Sequence, residues 1–200
     1  PREERRGDER DGEEPGQAGA AEARHGRGMI REPSPAGGAG RPPPAIMVPM
    51  RTLELRRHGE RDPEADRLSA EGRARAEDLG RRLGARWDVV FVSPAQRAAE
   101  TAAWILRGAG AEPRTPEVVP GLLGAGEEDR TPDRLAAAVS EILSRVPAGG
   151  RGLAIGHTPL IERAVLGLTG TRIAPLRELE GVLLVEGDDG GLRVEELRDA

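Results

Sequence analysis

Leu53-Glu54-Leu55-Arg56-Arg57-His58-Gly59-Glu60 and Leu153-Ala154-Ile155-Gly156-His157-Thr158-Pro159 are the two stretches whose reading decides the fold. Each reads as a short strand running into a histidine. Between them lies Asp88-Val89-Val90-Phe91-Val92, β-branched, apolar and short, as a buried parallel strand should be. It leads into Ser93-Pro94-Ala95-Gln96-Arg97-Ala98-Ala99-Glu100-Thr101. The chain has three histidines, and two of them stand at strand ends beside arginine or glycine, which points to a site and not to a core. Ligands of open α/β sheets bind beyond the carboxyl ends of strands, so His58, His157 and Arg97 are expected at one edge of a sheet.

Working outward, Ser69 can cap a helix through Arg86, with Ala70, Ala74, Leu79 and Leu83 near helical spacing. Pro94 is placed to start a helix through Gly108. Pro116 to Val119 is a weaker strand. Thr131-Pro132-Asp133 opens a helix to Val146, with Thr131 as N-cap, and Pro159 to Leu168 forms the last helix. Leu179 to Glu186 and Leu192 to Leu197 flank a Gly/Asp turn and read as a hairpin. Strands alternating with helices predict an α/β three-layer sandwich, a mostly parallel central sheet flanked by helices.

Residues 1–46 are rich in Arg, Glu, Asp, Gly, Pro and Ala and poor in large apolar side chains. Such a segment cannot bury enough surface to offset its ordering entropy, so a disordered tail is expected there, with the folded domain over 47–200. Arg24-His25-Gly26 in the tail repeats the tripeptide Arg57-His58-Gly59. No apolar strand precedes it and no amphipathic helix follows it, so it reads as a chance match.

The 200 residues carry a formal net charge of -5, which argues against nucleic-acid binding driven by overall charge. The 30 basic residues are all arginine. Without cysteine there is no disulfide framework, thiolate nucleophile or sulfur-ligated metal. No apolar run approaches the roughly 18 residues of a membrane span, and Arg5-Arg6 has no apolar stretch behind it. The expectation is a cytoplasmic protein with no membrane or nucleic-acid partner, no cofactor and no metal, since no carboxylate–histidine cluster has ligand spacing.

Taken in order, Arg57-His58-Gly59, Ser93-Pro-x-x-Arg97-Ala-x-x-Thr101-Ala, Gly156-His157-Thr158-Pro159 and Leu68-Ser69-Ala70-Glu71-Gly72 resemble the histidine phosphatase (phosphoglycerate-mutase-like) superfamily. The resemblance covers Arg51 to the C-terminus. It implies that His58 is the catalytic nucleophile, phosphorylated transiently, that Arg57 and Arg97 bind the phosphate, and that His157 is the second catalytic, phosphate-binding histidine. Gly59, Glu60 and Arg61 are candidates to line the pocket. The chemistry suits these residue types: a neutral imidazole can attack phosphorus while its other nitrogen is anchored. Guanidinium groups bind phosphoryl oxygens in a bidentate manner, and a protonated His157 would add another donor.

The implied general acid is the departure from the family pattern. The segment has no glutamate close behind Pro120; its acids come later in a Gly-rich loop, where Glu127 or Glu128 could serve. Trp87 and Trp104 are expected to serve packing. Ser93 reads as a turn residue and not a nucleophile, no base being implied beside it. The short span from Thr101 to His157 leaves no room for a lid domain, which resembles the compact SixA-type branch acting on phosphorylated proteins. A small-molecule phosphomonoesterase (sugar phosphate or nucleotide-related ester) is the alternative substrate class. An inactive phosphate-binding scaffold of the same fold is the third reading.

Overall fold

The computed structural model describes residues 50–84, 86–124, 126–187 and 189–198. The expectations for the tail and for Arg24-His25-Gly26 lie outside them. The described chain alternates β1 (Thr52–Arg57), α1 (Ala70–Leu83), β2 (Val89–Val92), α2 (Gln96–Gly108), β3 (Glu117–Val118), α3 (Pro132–Ser144), β4 (Arg151–Gly156), α4 (Leu160–Thr169), β5 (Gly181–Glu186) and β6 (Leu192–Leu197).

The strands form one six-stranded sheet in the order β3-β2-β4-β1-β5-β6. β1, β2, β3 and β4 run parallel, and β5 and β6 add an antiparallel hairpin at one side. β4 therefore lies between β1 and β2, with Arg57 level with Gly156 and Val92 level with Ile155. That register brings the chain just past all three strands to one place.

Two apolar clusters cover the faces of the sheet. Leu53, Leu55, Phe91 and Ala154 pack against Leu135, Val139 and Ile142 of α3 and Ile161, Ala164 and Val165 of α4. On the other face Val90, Val92, Leu153 and Ile155 pack against Ala76 and Leu79 of α1 and Ala98, Ala102 and Ile105 of α2. Each large side chain buried in this way contributes about 1.5–3 kcal/mol. The sandwich expected from the alternation is the observed fold.

The boundaries differ where local chemistry intervenes. α1 ends at Leu83, before Arg86, because Gly84 takes a left-handed conformation (φ 50) and closes the helix through its amide on Gly80 O. α2 begins at Gln96, so Pro94 precedes the helix. The N-cap there is Ala95, which has no side-chain acceptor; the carboxylate of Asp66, from the β1–α1 connection, takes the Gln96 amide at 3.0 Å instead. Thr131 is the backbone N-cap of α3, but its hydroxyl makes no capping bond. The strand expected over Pro116 to Val119 shrinks to two exposed residues. Short 3₁₀ turns occupy Pro120–Leu122 and Glu128–Arg130.

Glu54 and Arg56 interrupt the apolar pattern of β1, yet both are buried. Arg56 Nε donates to Glu54 Oε2 at 3.2 Å, and Arg56 Nη1 to Leu179 O at 3.0 Å. Glu54 Oε1 accepts from Trp87 Nε1 and Arg151 Nη2, each at 3.3 Å. The two charges thus replace part of the apolar core beneath the strand ends.

Candidate active site

His58 follows β1, Ser93 follows β2 and His157 follows β4. The amide of His58 donates to Gly156 O (3.1 Å) and that of Ser93 to Ile155 O (3.0 Å), continuing the parallel ladders one residue beyond the strands. The two imidazoles consequently lie with ring centroids 5.0 Å apart, inclined by 58°. Both are buried.

Arg97, in the first turn of α2, reaches into this space. Its Nε donates to His58 Nε2 at 3.2 Å and its Nη2 to His157 Nδ1 at 3.1 Å. Nη1 donates to Asp66 Oδ1. A guanidinium has five donors and no acceptor, so both ring nitrogens facing it carry lone pairs. His58 Nδ1 then holds the proton and donates it to Gly59 O at 2.7 Å. Burial pushes the His58 pKa down; the Gly59 carbonyl and Glu178 oppose this, and Arg97 and Arg57 add to it. His157 is driven further, to about 4, by burial first and then by Arg97 and His58. In this resting arrangement His157 Nδ1 accepts from Arg97, so the donor that a protonated His157 would add is not in use.

Arg57 is differently engaged from the expectation. Its Nη1 donates to Leu176 O (2.8 Å) and its Nη2 to Glu178 Oε1 (2.7 Å). Its Nε is buried with no hydrogen-bond partner. The segment holding Arg57 is itself tied down: Leu179, at φ 67, donates its amide to Arg57 O, and Glu180 O accepts from the Arg57 amide.

The structure thus brings His58, His157 and Arg97 into mutual contact, with Arg57 next to His58 in the chain. Gly59 is buried, and its amide donates to Thr101 Oγ1 at 3.0 Å. Glu60 and Arg61 are exposed; Glu60 accepts from the Ser69 hydroxyl at 3.0 Å, and Arg61 donates to Asp62 O. Glu127 and Glu128 are exposed in and beside their 3₁₀ turn. No hydrogen bond or ion pair joins either of them to the histidines or to Arg57 and Arg97, among the described residues. Trp87 is core, as expected, and Trp104 is half-buried beneath the Arg107 guanidinium at 4.8 Å.

Sequence reasoning missed four residues. Ser93 has a catalytic-site histidine beside it: its Oγ lies 2.6 Å from His157 Nε2. Thr101 bridges α2 to the strand-end turn, donating to Arg97 O at 2.7 Å and accepting from Gly59 N. Both sit inside the quoted motif, so their positions carried the signal. Asp66 and Glu178, the carboxylates on the two arginines, had none. Burial opposes ionisation of Asp66, but bonds from Arg97 and the Gln96 amide outweigh it and hold the carboxyl below its ordinary value.

The architecture is that of the phosphoglycerate-mutase-like α/β sandwiches. It superimposes on phosphoglycerate mutase from Bacillus anthracis str. Sterne with a TM-score of 0.64 (18% identity, covering 76% of this chain and 95% of that one). It superimposes on the protein histidine phosphatase SixA, solved with tungstate, with a TM-score of 0.56 (21% identity; 73% and 96%). For a mycobacterial glucosyl-3-phosphoglycerate phosphatase the TM-score is 0.58 (18% identity; 76% and 100%). No curated protein sequence matches the chain. Residues 53–123 match the family model of the histidine phosphatase superfamily (branch 1). Among the described residues no helix is long and apolar enough to cross a membrane.

Proposed function

We propose that this protein is a metal-independent phosphatase that passes a phosphoryl group through His58. One observation carries this reading: His58 Nδ1–H is anchored on Gly59 O at 2.7 Å, leaving Nε2 as a lone-pair nitrogen facing Arg97 beside His157. An anchored neutral imidazole is the form a nucleophile requires. In the first step Nε2 forms a P–N bond as the bond from phosphorus to the leaving group breaks, and the electron pair departs with that group. In the second, water forms a P–O bond as P–N breaks, the P–N electron pair returns to Nε2, and the proton that water gives up passes through solvent to the departed group, leaving neutral His58 and inorganic phosphate. Arg97 must first leave Nε2, because its N–H occupies the lone pair that phosphorus needs. Phosphoryl oxygens then take the donors of Arg97, and the Arg57 guanidinium adds its charge beside His58. Positioning and charge stabilisation of this kind dominate phosphoryl-transfer catalysis.

A phosphorylated protein is the substrate class this site favours. Glu127 and Glu128 stand exposed, and Asp66 and Glu178 are committed to arginines, so none of these four described carboxylates is set to protonate an alkoxide. Phosphohistidine leaves as an imidazole, which needs no protein acid when its second nitrogen is already protonated. The test is hydrolysis of p-nitrophenyl phosphate in EDTA, wild type beside His58→Ala, with acid-labile phosphate on the protein assayed in parallel. Phosphohistidine protein and sugar phosphates then serve as competing substrates. Turnover and label confined to wild type are expected; turnover surviving in His58→Ala would overturn the mechanism. Faster hydrolysis of sugar phosphates would shift the substrate to small esters.

A further inference from the structure

Ser93 is 1% exposed and its hydroxyl touches His157 Nε2 at 2.6 Å. The direction of that bond follows from the opposite side of the ring. Arg97 Nη2 donates to Nδ1 at 3.1 Å, so the single proton of the neutral imidazole lies on Nε2 and Ser93 Oγ accepts it. A serine facing a protonated nitrogen cannot hand its own proton there, and a hydroxyl buried to this degree is not reached by substrate. Ser93 is therefore no nucleophile, although serine and histidine are in contact.

We infer that Ser93 is a positioning residue that holds the ring orientation of His157, accepting the Nε2–H that the Arg97 contact selects and turning Nδ1 toward the space shared with His58 and Arg97. The inference rests on the phosphatase reading in taking that space as the phosphoryl site. The arrangement has a second property. An oxygen acceptor on Nε2–H serves the neutral and the doubly protonated ring equally well. When Arg97 turns Nη2 to a phosphoryl oxygen, Nδ1 can take a proton and donate in its place, with the Ser93 bond unchanged. The charged and titratable groups facing the ring through that exchange are Arg97, His58, Arg57 and, across Arg97, Asp66. Its main-chain support is the last link of the β2–β4 ladder, Ser93 N to Ile155 O at 3.0 Å, so the hydroxyl is carried on a rigid element. Orienting partners on the far nitrogen of a functional histidine typically change affinity or activity by about 10–100-fold when removed, in the best-studied metal-bound cases.

The deciding experiment uses the full chain labelled with ¹⁵N-histidine, whose three imidazoles are assigned with His25→Gln and His58→Ala. Long-range ¹H–¹⁵N correlations read each tautomer directly, with p-nitrophenyl phosphate kinetics run beside them. His157 is expected as the Nε2–H tautomer in wild type. Ser93→Ala, which takes the acceptor from Nε2–H, should move the His157 Nε2–H resonance and lower kcat by about ten-fold, while Ser93→Thr, which keeps the hydroxyl, should retain the wild-type resonance. An Nδ1–H tautomer in wild type overturns the inference, as does Ser93→Ala with both the Nε2–H resonance and kcat unchanged. A wild-type protein without turnover would defeat the phosphatase reading alone, because the tautomer is read without substrate.

Discussion

Arg97 spends its three nitrogens on three different groups, His58, His157 and Asp66, and this division of one planar fork is what makes the residue irreplaceable. Lysine keeps the charge but is a point donor that cannot reach both imidazoles and a carboxylate at fixed angles. Arg97→Lys should therefore lower kcat/KM for p-nitrophenyl phosphate by about 10²–10³-fold, the loss seen when one preorganised donor to a developing charge is removed. A less than three-fold change would show that the charge alone suffices. The histidines make a second expectation. The pKa of His157 is depressed in the folded state, to about 4 against an ordinary 6.5, and that of His58 is lowered as well. Between those values the unfolded chain binds protons that the native protein does not, so stability is full above about 6.5 and falls as pH drops toward 4. Urea unfolding followed across this range should show that decline in wild type, and a smaller one in His157→Gln. The carboxyls of Asp66, Glu100 and Glu180 are also held below their ordinary values, so the stability they supply is lost only on further acidification. At this scale the sequence showed the reactive side chains, because a motif names residue types. It could not show that each arginine is clasped by a carboxylate, since Asp66 and Glu178 lie 31 and 121 positions away from their partners.

Elements were legible where periodicity speaks and obscure where a distant residue decides. β1, β2 and β4 could be read from apolar runs ending in polar residues, and α1 from Ser69, whose hydroxyl does take the Gly72 amide at 2.9 Å. The start of α2 was not legible, because its cap is supplied by Asp66 from another segment. Nor did the spacing reveal how closely α1 and α2 approach. A Cβ on Gly80 would stand 2.1 Å from Ile105 O, and one on Gly108 would stand 1.9 Å from Glu77 O. Both obstacles are backbone atoms and cannot rotate away. In an isolated helix glycine costs about 1 kcal/mol against alanine, so propensity alone predicts that Gly80→Ala stabilises. The packing predicts the reverse: the helices must separate, at a cost of roughly 1–3 kcal/mol. Gly80→Ala and Gly108→Ala should each lower the urea midpoint without changing the slope. Their effect should also reach the site, because α2 carries Arg97 and Thr101. A midpoint at or above wild type for Gly80→Ala would mean the two helices part at no cost.

Across the whole molecule, the buried pair Glu54–Arg56 connects the middle of the sheet to the segment that holds Arg57. Arg56 donates to Leu179 O, Leu179 donates its amide to Arg57 O, and Glu178 grips the Arg57 side chain. The sequence showed the two charges as an interruption of an apolar strand; only the topology shows that they lie opposite α1 and α2, beside Trp87 and Arg151. Taking the carboxylate from beside a guanidinium only 1% exposed is among the costlier single changes, roughly 3–5 kcal/mol when a buried pair is broken. Replacing both members by apolar residues of similar volume is often neutral, because the desolvation of two ions is avoided as well. Glu54→Leu should thus unfold at markedly lower urea than wild type, while Glu54→Leu combined with Arg56→Met should recover to within about 1–2 kcal/mol of it. The two quantities then separate. In the recovered double variant Leu179 O has lost its Arg56 donor, so the segment over Arg57 is less firmly held, and kcat/KM for p-nitrophenyl phosphate should remain below wild type although stability has returned. Activity returning in step with stability would mean that the pair serves the fold alone, and that Arg57 is placed by Glu178 and Leu176 without help from beneath.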